Sequence, residues 1–239
     1  MSKKIKGSYL LNAVGVALVF ALLTGLFAAN AFGTSTTYIQ GICTTACYTI
    51  IMVTSLNLVV GFMGEFSLGH AGFVSVGAYV SAIVSGALAG KGLSDLGLFL
   101  IALLVGGLAA GIMGVLVGIP ALRLRGDYLA IITLGFGEII RLVLENWTSV
   151  TKGSFGLSNL SRPSLFGMEM GVTEATNYIY YIVLAAVVVT IIVVGRLKNS
   201  RIGLALQALR EDEIACEAMG IDLTKVKLSA FARGSCWAG

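Results

Sequence analysis

The stretch from Leu96 to Leu122, "LGLFLIALLVGGLAAGIMGVLVGIPAL", contains no charged residue and decides the class of fold. An α-helix needs about 20 consecutive apolar residues to cross the hydrocarbon core of a bilayer, so this stretch predicts a transmembrane helix. Gly107 and Gly111 lie four residues apart, as do Gly114 and Gly118. Glycine at this spacing lets two helix backbones approach closely, which predicts a tight contact with a neighbouring helix.

The composition of the whole chain agrees with this prediction. Of the 239 residues, 57% are hydrophobic and 12% are charged, and the mean hydropathy is +0.93. Soluble domains carry about 25% charged residues, and a single core of this size could not bury so much apolar surface. The 31 glycines and 2 prolines are also typical of closely packed membrane helices.

Several further stretches are apolar and long enough, or nearly so, to cross a membrane. They are Leu10–Ala31, Tyr38–Gly64, Phe66–Gly90, Tyr128–Asn146 and Ala175–Gly195. We therefore predict an all-α integral membrane protein, a polytopic helical bundle with about six spans, in a single domain over residues 1–239. The first stretch also resembles a cleavable signal peptide, but it is longer than the usual signal core of about 7–15 residues, which favours an uncleaved helix.

The distribution of lysine and arginine predicts the orientation. If six spans alternate in direction, one side collects Lys3, Lys4, Lys6, Arg123, Arg125, Arg196, Lys198, Arg201, Arg210, Lys225 and Lys227. The other side collects only Lys91, Lys152 and Arg162. Because positive residues accumulate on the cytoplasmic side, the N-terminus is predicted to be cytoplasmic. The polar loop from Trp147 to Thr176 then faces outward, either as a contact for an external partner or as a simple connector.

The segment "GFMGEFSLGHAGFVSVGAYVSA", Gly61–Ala82, is rich in glycine and carries Glu65, Ser67 and His70. A helix facing lipid does not tolerate such a composition, so we expect a broken, partly unwound or re-entrant helix near a pathway. His70 is either a packing, hydrogen-bonding residue or a proton relay. Polar groups that could line a path for a zwitterion are Asn57, Ser67, His70, Ser75 and Tyr79.

Charges inside the predicted fifth span point to an ion pair. Glu138 and Arg141 are three residues apart, so they can pair on one face of a helix, and pairing lowers the cost of placing them in lipid. The pair is interpreted as structural or near the membrane interface, with a role in transport as the alternative. Cys43 and Cys47, four residues apart, are expected to share a packing face.

No enzymatic motif is present in the sequence. The segment Ser85–Gly92, "SGALAGKG", lacks the first glycine and the final hydroxyl of a phosphate-binding loop. The single histidine excludes a zinc site built on several histidines, and the four cysteines give no metal or disulfide framework. We therefore predict a protein that is not an enzyme and that has no metal and no cofactor.

The segment Ser200–Asp222, "SRIGLALQALREDEIACEAMGID", is rich in charged residues and follows a long apolar stretch. Apolar residues at helical spacing predict two short amphipathic helices, with Gly220 ending the second and Asp222 capping the next helix. Such a helix fits a groove on a cytosolic protein. The alternative, a helix lying on lipid, is less suited to an acidic segment because the inner leaflet is anionic. The predicted docking residues are Glu211, Asp212, Glu213, Ile214, Glu217, Ala218, Met219 and Gly220.

This charged segment, beginning at "GLALQALREDE", resembles the cytoplasmic loop of the inner-membrane permeases of branched-chain amino acid ABC importers, the LivM type. The stretches "SLNLVVGFMGEFSLGHAGFVSVGAYVSA", "LRLRGDYLAIITLGFGEIIRLVLENW" and "TKGSFGL" resemble the same family, so that the resemblance covers most of Ile50–Phe231. It implies a bacterial inner-membrane subunit that works with a second homologous permease, two cytosolic ATP-binding subunits and a periplasmic or extracellular amino-acid-binding protein. In that family Glu213 to Gly220 would form the coupling helix, within a cytoplasmic loop over residues 196–227.

One part of the chain departs from the family pattern. After "KVKLSAFA" the family continues into further apolar spans, whereas this chain reads "RGSCWAG". Residues 228–239 are therefore expected to be the aborted or frame-shifted start of a further span. The alternatives to an importer subunit are a truncated, non-transporting remnant, and a secondary transporter driven by an ion gradient through Glu65, His70 and Glu138.

Overall fold

The structure, a computed structural model, describes residues 36–88, 95–122, 126–157 and 172–239, together with Gly25 and Leu124. Within these ranges every regular element is a helix, which confirms the predicted all-α fold. The predicted first span, Leu10–Ala31, lies outside the described residues except for Gly25.

The helices follow one another in a simple order. They are α1 (Thr36–Asn57), α2 (His70–Leu88), α3 (Asp95–Ala121), α4 (Asp127–Asn146), α5 (Thr148–Thr151), α6 (Val172–Lys198), α7 (Arg201–Glu211), α8 (Glu213–Ala218) and α9 (Leu223–Ala238). A π-helical turn, Leu58–Met63, continues α1, and a 3₁₀ turn, Gly153–Phe155, follows α5.

Four segments in the described ranges are long and apolar enough to cross a membrane. They are Tyr38–Met63, His70–Leu88, Gly97–Ala121 and Ile179–Lys198. Each coincides with a predicted span. Helix α4 forms where the fifth span was predicted, but its charged residues keep it out of this group, so the count of six spans stays a prediction.

The helix break predicted in the glycine-rich segment is present. The π-helical turn ends at Gly64, whose φ of 78° lies in the left-handed region that favours glycine. Residues 64–69 then form no helix, and α2 begins at His70. A side chain at Gly64 would also overlap the side chain of Arg210 in α7, so this turn is closed against a distant part of the chain.

The glycines of α3 make the predicted close contact, and the neighbouring helix is α9. A Cβ atom at Gly114 would overlap the side chain of Ser235, and Gly107 and Gly111 both lie against Cys236. Gly118 lies against Leu228 and Phe231 in the same way. Because close approach of two backbones replaces side-chain bulk with direct van der Waals contact, these glycines hold α9 in the bundle.

Two apolar clusters hold the described helices together. The larger cluster joins Val59, Met63, Phe73, Ala110, Val117, Leu206, Leu209, Cys216, Ala230 and Phe231. At its centre the rings of Phe73 and Phe231 meet edge to face, with centroids 5.6 Å apart, a geometry worth about 0.5–1.5 kcal/mol beyond burial. The smaller cluster packs Cys47 of α1 against Tyr180, Val183 and Val187 of α6. Cys43 contacts the same cluster, as the sequence predicted.

Helix α9 runs across the boundary that the sequence suggested between residues 227 and 228. Ala230, Phe231 and Ser235 are buried, and the indole Nε1 of Trp237 donates a hydrogen bond to Thr190 Oγ1 at 2.9 Å. Arg233 lies on the exposed side of the helix. Residues 228–239 are therefore continuous with the end of the predicted coupling loop.

Replacing Gly114 with leucine is expected to destabilise the bundle, because the new side chain would overlap Ser235 on α9. Forcing extra atoms into a packed contact costs about 1–3 kcal/mol. The measurement is the free energy of unfolding in mixed micelles titrated with SDS. Gly135→Leu is the control, since nothing lies within 4 Å of a Cβ at that position on α4. Equal stability of the two variants would contradict the α3–α9 contact.

Candidate functional site

The site is built from the short helices α7 and α8, and two side chains define where each begins. Ser200 Oγ accepts a hydrogen bond from Gly203 N at 3.2 Å and caps α7. Asp212 adopts an extended conformation that interrupts the helix, and its Oδ1 accepts from Ile214 N at 2.9 Å and from Ala215 N at 3.1 Å. These caps satisfy backbone N–H groups that have no partner within the helix.

The end of α8 follows the sequence prediction. Gly220 has a φ of 81°, which allows the chain to turn out of the helix. Asp222 caps α9, because its Oδ1 accepts from Lys225 N at 3.1 Å. The hydrogen bond from the Lys225 side chain holds the pKa of the Asp222 carboxyl below its usual value. Helix α8 is thus fixed at both ends by local chemistry.

The two short helices bury their apolar residues differently. In α7, Leu206 and Leu209 are buried in the larger apolar cluster, as their spacing predicted. In α8 only Cys216 is buried, while Ile214 is 77% exposed and the adjacent Met219 is 82% exposed. The other predicted docking residues, Glu211, Asp212, Glu217, Ala218 and Gly220, are exposed as well. This part of the chain therefore presents apolar and acidic side chains together.

Glu213 is the exception among the predicted docking residues, because it points towards the bundle. Its Oε1 lies 2.5 Å from Lys227 Nζ of α9, and the same Nζ lies 2.6 Å from Glu65 Oε1 in the break after α1. The Lys227 side chain is 6% exposed, that of Glu65 10% and that of Glu213 28%. We call these three residues the charged triad. It joins α8, α9 and the glycine-rich break.

The charges of the triad depend on one another. Burial lowers the pKa of Lys227, but the hydrogen bonds that its ammonium donates to Glu213 and Glu65 outweigh this effect, so the pKa is raised above its ordinary value. Because the pKa of Lys227 is higher in the folded protein than in the unfolded chain, its protonation stabilises the fold. This contribution to the free energy of unfolding is complete below the ordinary lysine pKa, and it is lost as the pH rises through the raised pKa. Lys227 therefore stays protonated throughout the physiological range.

A second contact joins α7 to the π-helical turn that precedes the break. Arg210 Nη1 donates a hydrogen bond to the carbonyl oxygen of Gly61 at 2.9 Å, and Arg210 Nη2 lies 3.0 Å from Glu211 Oε1. Gly61 belongs to the π-helical turn. Arg210 and the two carboxylates of the triad border an open cleft of about 460 Å³, lined by Met63, Gly64, Glu65, Gly126, Leu209, Arg210, Glu211, Asp212, Glu213 and Ile214.

The residues predicted to line a path lie at the end of α1, in the break that follows and along α2. His70 is buried, and its Nε2 lies 2.8 Å from Ser55 Oγ of α1, so it makes the hydrogen bond expected of a packing histidine. Ser67 is 5% exposed, and its hydroxyl has no hydrogen-bond partner among the described residues. Ser75 donates to Gly72 O at 2.8 Å. Tyr79 is half-buried and Asn57 is exposed.

The predicted pair in α4 is present and extends to a third residue. Arg141 lies 2.6 Å from Glu138 Oε1 and 2.7 Å from Glu145 Oε2. The side chains of Arg141 and Glu138 are 58% and 53% exposed, so the pair lies on the outer face of α4. Glu65, His70 and Glu138, which a secondary transporter would use together, have separate partners in Lys227, Ser55 and Arg141.

The loop after α4 begins with a local hydrogen-bonded structure. Thr151 Oγ1 lies 2.5 Å from Leu144 O and 2.8 Å from Trp147 O, so its one hydroxyl proton is shared between these two carbonyls and closes the end of α4. Residues 158–171 of this predicted outward loop lie outside the described residues. Contact of the loop with an external partner stays a prediction.

The sequence did not predict Lys227 and Arg210 as site residues. Lys227 is separated from Glu65 by 162 positions, and Arg210 from Gly61 by 149. No spacing rule joins residues at such separations. The available signal was chemical, because Glu65 and Lys227 are charged residues at the edges of apolar stretches and needed partners of opposite charge.

Comparison with known proteins gives one consistent result. Residues 38–239 match the model of the family described as branched-chain amino acid transport system, permease component. The chain is 40% identical over 210 residues to the high-affinity branched-chain amino acid transport system permease protein LivM of Escherichia coli K12, and equally to that of Salmonella typhimurium LT2. These alignments cover 80% of this chain and 48% of each relative.

A more distant relative has a similar description. The probable branched-chain amino acid transport permease protein LivM of Methanocaldococcus jannaschii is 25% identical over 181 residues, which are 75% of this chain and 49% of that protein. The chain thus spans about half the length of the curated relatives it matches. No solved structure matches it.

Lys227→Met is expected to destabilise the protein strongly, because it leaves the carboxylates of Glu65 and Glu213 without their shared cation. Removing one partner of a buried ion pair costs about 3–5 kcal/mol. The measurement is again the free energy of unfolding in SDS-titrated micelles. Lys225→Met is the matched control, since Lys225 pairs with Asp222 on the surface with 85% of its side chain exposed. A loss of stability as small as that of the control would show that the triad does not bear on folding.

Proposed function

The chain belongs to the family of branched-chain amino acid transport system permease components, and we propose that it acts as a transmembrane permease subunit of an ATP-binding cassette importer for branched-chain amino acids. In this role it forms part of the path for the amino acid and transmits the motion of ATP-binding subunits. The four apolar candidate spans are consistent with that position in the membrane.

The observation that carries the proposal is the surface of α8. Ile214 is 77% exposed and Met219 is 82% exposed. No other large apolar side chain in residues 201–239 is as exposed. Ile214 and Met219 lie outside the four candidate spans, so a position within a membrane-spanning helix does not account for their exposure. A short helix with apolar side chains and acidic neighbours fits a groove on another protein.

The proposed partners follow from this surface and from the family. Two cytosolic ATP-binding subunits bind α8 and its flanking residues, and nucleotide hydrolysis takes place there and not in this chain. A second homologous permease completes the path, and a periplasmic or extracellular binding protein delivers the amino acid. The N-terminus and α8 then lie on the cytoplasmic side of the inner membrane, as the distribution of lysine and arginine indicates.

The proposed path runs from the end of α1 through the break and along α2, by Asn57, Ser67, His70, Ser75 and Tyr79. The buried hydroxyl of Ser67 supports this placement, because a polar group without a partner among the described residues is available to a polar ligand. An amino acid presents an ammonium and a carboxylate that need such groups, while a branched aliphatic side chain needs apolar neighbours.

The double variant Ile214→Glu with Met219→Glu is expected to abolish copurification with the ATP-binding subunits, because it places two charges at the centre of the docking surface. The variant should keep the unfolding free energy of the parent, since both side chains are exposed. The measurement is affinity purification of the tagged chain, coexpressed with the companion subunits from its own source, followed by quantification of the bound ATP-binding subunit.

The control is the double variant Ile214→Leu with Met219→Leu, which keeps the apolar surface and should retain the ATP-binding subunits. Full copurification of the glutamate variant would overturn the proposed docking role of α8. Neither variant changes Glu213, whose contact with Lys227 would confuse docking with folding.

A further inference from the structure

The break after α1 is tied to the docking region by two polar contacts. Lys227 joins Glu213, the first residue of α8, to Glu65 in the break. Arg210, near the end of α7, donates to the Gly61 carbonyl in the π-helical turn. The two contacts therefore meet the break on both sides of its left-handed residue, Gly64.

The break is the part of these helices that is best suited to change shape. A π-helical turn lacks the regular α-helical hydrogen-bond pattern and is frequent at functional sites. It is followed by Gly64 in the left-handed region and by residues 64–69, which form no helix. Beyond it begins α2 with His70, so a displacement of the break alters the start of a candidate span.

Helix α8 is correspondingly easy to displace as a unit. It has six residues, and its only buried residue is Cys216. Isolated helices of this length are unstable in water, so α8 keeps its position through its caps and its contacts with the bundle. Glu213 is the acidic residue of α8 that points towards the bundle.

We propose that Lys227 is a positioning residue for transport, which passes the displacement of α8 to the break between Gly61 and Gly69. The inference rests on the proposed function, in which ATP-binding subunits displace α8. A buried carboxylate left without its cation is costly, so the triad moves as a connected group when Glu213 moves. Arg210 supports the same movement from α7 through the Gly61 carbonyl.

The competing explanation is that the triad only holds the fold. The two explanations differ in what they predict for a triad without charges. Replacing Glu65 and Glu213 by glutamine and Lys227 by methionine leaves no unpaired buried charge, and such replacements are often tolerated in folding. A purely structural triad would then be dispensable for transport, whereas a connecting triad would not.

The triple variant Glu65→Gln, Glu213→Gln, Lys227→Met is therefore tested in the complete importer, reconstituted in proteoliposomes with the companion subunits from its own source. The readouts are ATP hydrolysis and uptake of radiolabelled leucine, isoleucine and valine. We expect hydrolysis to persist while the number of amino acids imported per ATP falls about tenfold, within the usual range of coupling between sites. Lys225→Met is the control and should keep the parent ratio.

Lys227→Arg tests the role of the charge alone. Arginine keeps a cation between the two carboxylates, so the number of amino acids imported per ATP should stay within about threefold of the parent value. A threefold change is small compared with the usual coupling between two sites. Failure of the arginine variant to recover import, with the ATP-binding subunits still bound, would overturn the role of the ion contact. This variant keeps the test decisive if the triple variant does not assemble.

Distances within the chain test the movement directly. In a background with all four cysteines replaced by alanine, spin labels at positions 215 and 66 are each paired with a label at position 188, since Ala215, Phe66 and Val188 are exposed and none of them is a predicted docking residue. In the parent complex, nucleotide binding should change both distances. In the triple variant it should change the 215–188 distance and leave the 66–188 distance unaltered.

The outcomes separate the two proposals. If the parent chain retains no ATP-binding subunit, the proposed function fails and the inference fails with it. If the subunits bind and hydrolyse ATP but the triple variant imports at the parent ratio, the proposed function stands and the role of Lys227 is overturned. A 66–188 distance that still responds to nucleotide in the triple variant overturns it as well.

Discussion

The ammonium of Lys227, held between the carboxylates of Glu65 and Glu213, is the interaction on which the rest of the structure depends. A charge with 6% of its side chain exposed needs opposite charges close by, because water no longer stabilises it. The partners come from a break in one apolar segment and from a short helix outside the candidate spans. One cation therefore fixes the relation between the candidate spans and the proposed docking surface.

The sequence predicted well what depends on neighbouring residues. The caps at Gly220 and Asp222, the buried face of α7 and the pairing of Glu138 with Arg141 all involve residues within a few positions of one another. The break in the glycine-rich segment was also predictable, because glycine and polar residues are poorly tolerated in a helix facing lipid. The glycine spacing predicted a close helix contact but not that the neighbour is α9.

The sequence did not predict the contacts that depend on how one helix is oriented towards another. The sequence placed Ile214 and Met219 among the docking residues, and the structure leaves both exposed, but their spacing alone does not tell whether such a face meets the core or another protein. The sequence did not single out Cys216, which is the residue of α8 that the structure buries. The contact of Lys227 with Glu65 was missed for a similar reason. The charges of the two residues indicate that each needs a partner, but 162 positions separate them and no pattern in the sequence pairs them.

The region around α8 reverses the usual distribution of side chains, and the reversal is consistent with a transmitting role. Folding alone would favour burying Ile214 and Met219, yet they are exposed, while three charged side chains are turned inward. Buried ion pairs are frequently no more stabilising than apolar residues of similar volume, so stability alone is a weak reason for the triad. A partner that covers α8 would explain both the exposed apolar side chains and the inward charges. It would bury Ile214 and Met219, and the charged triad would connect α8 to the bundle. On the proposal made here, a partner supplies the missing burial on one side of α8, and on the other side the triad holds the helix against a break that lies directly before a candidate span.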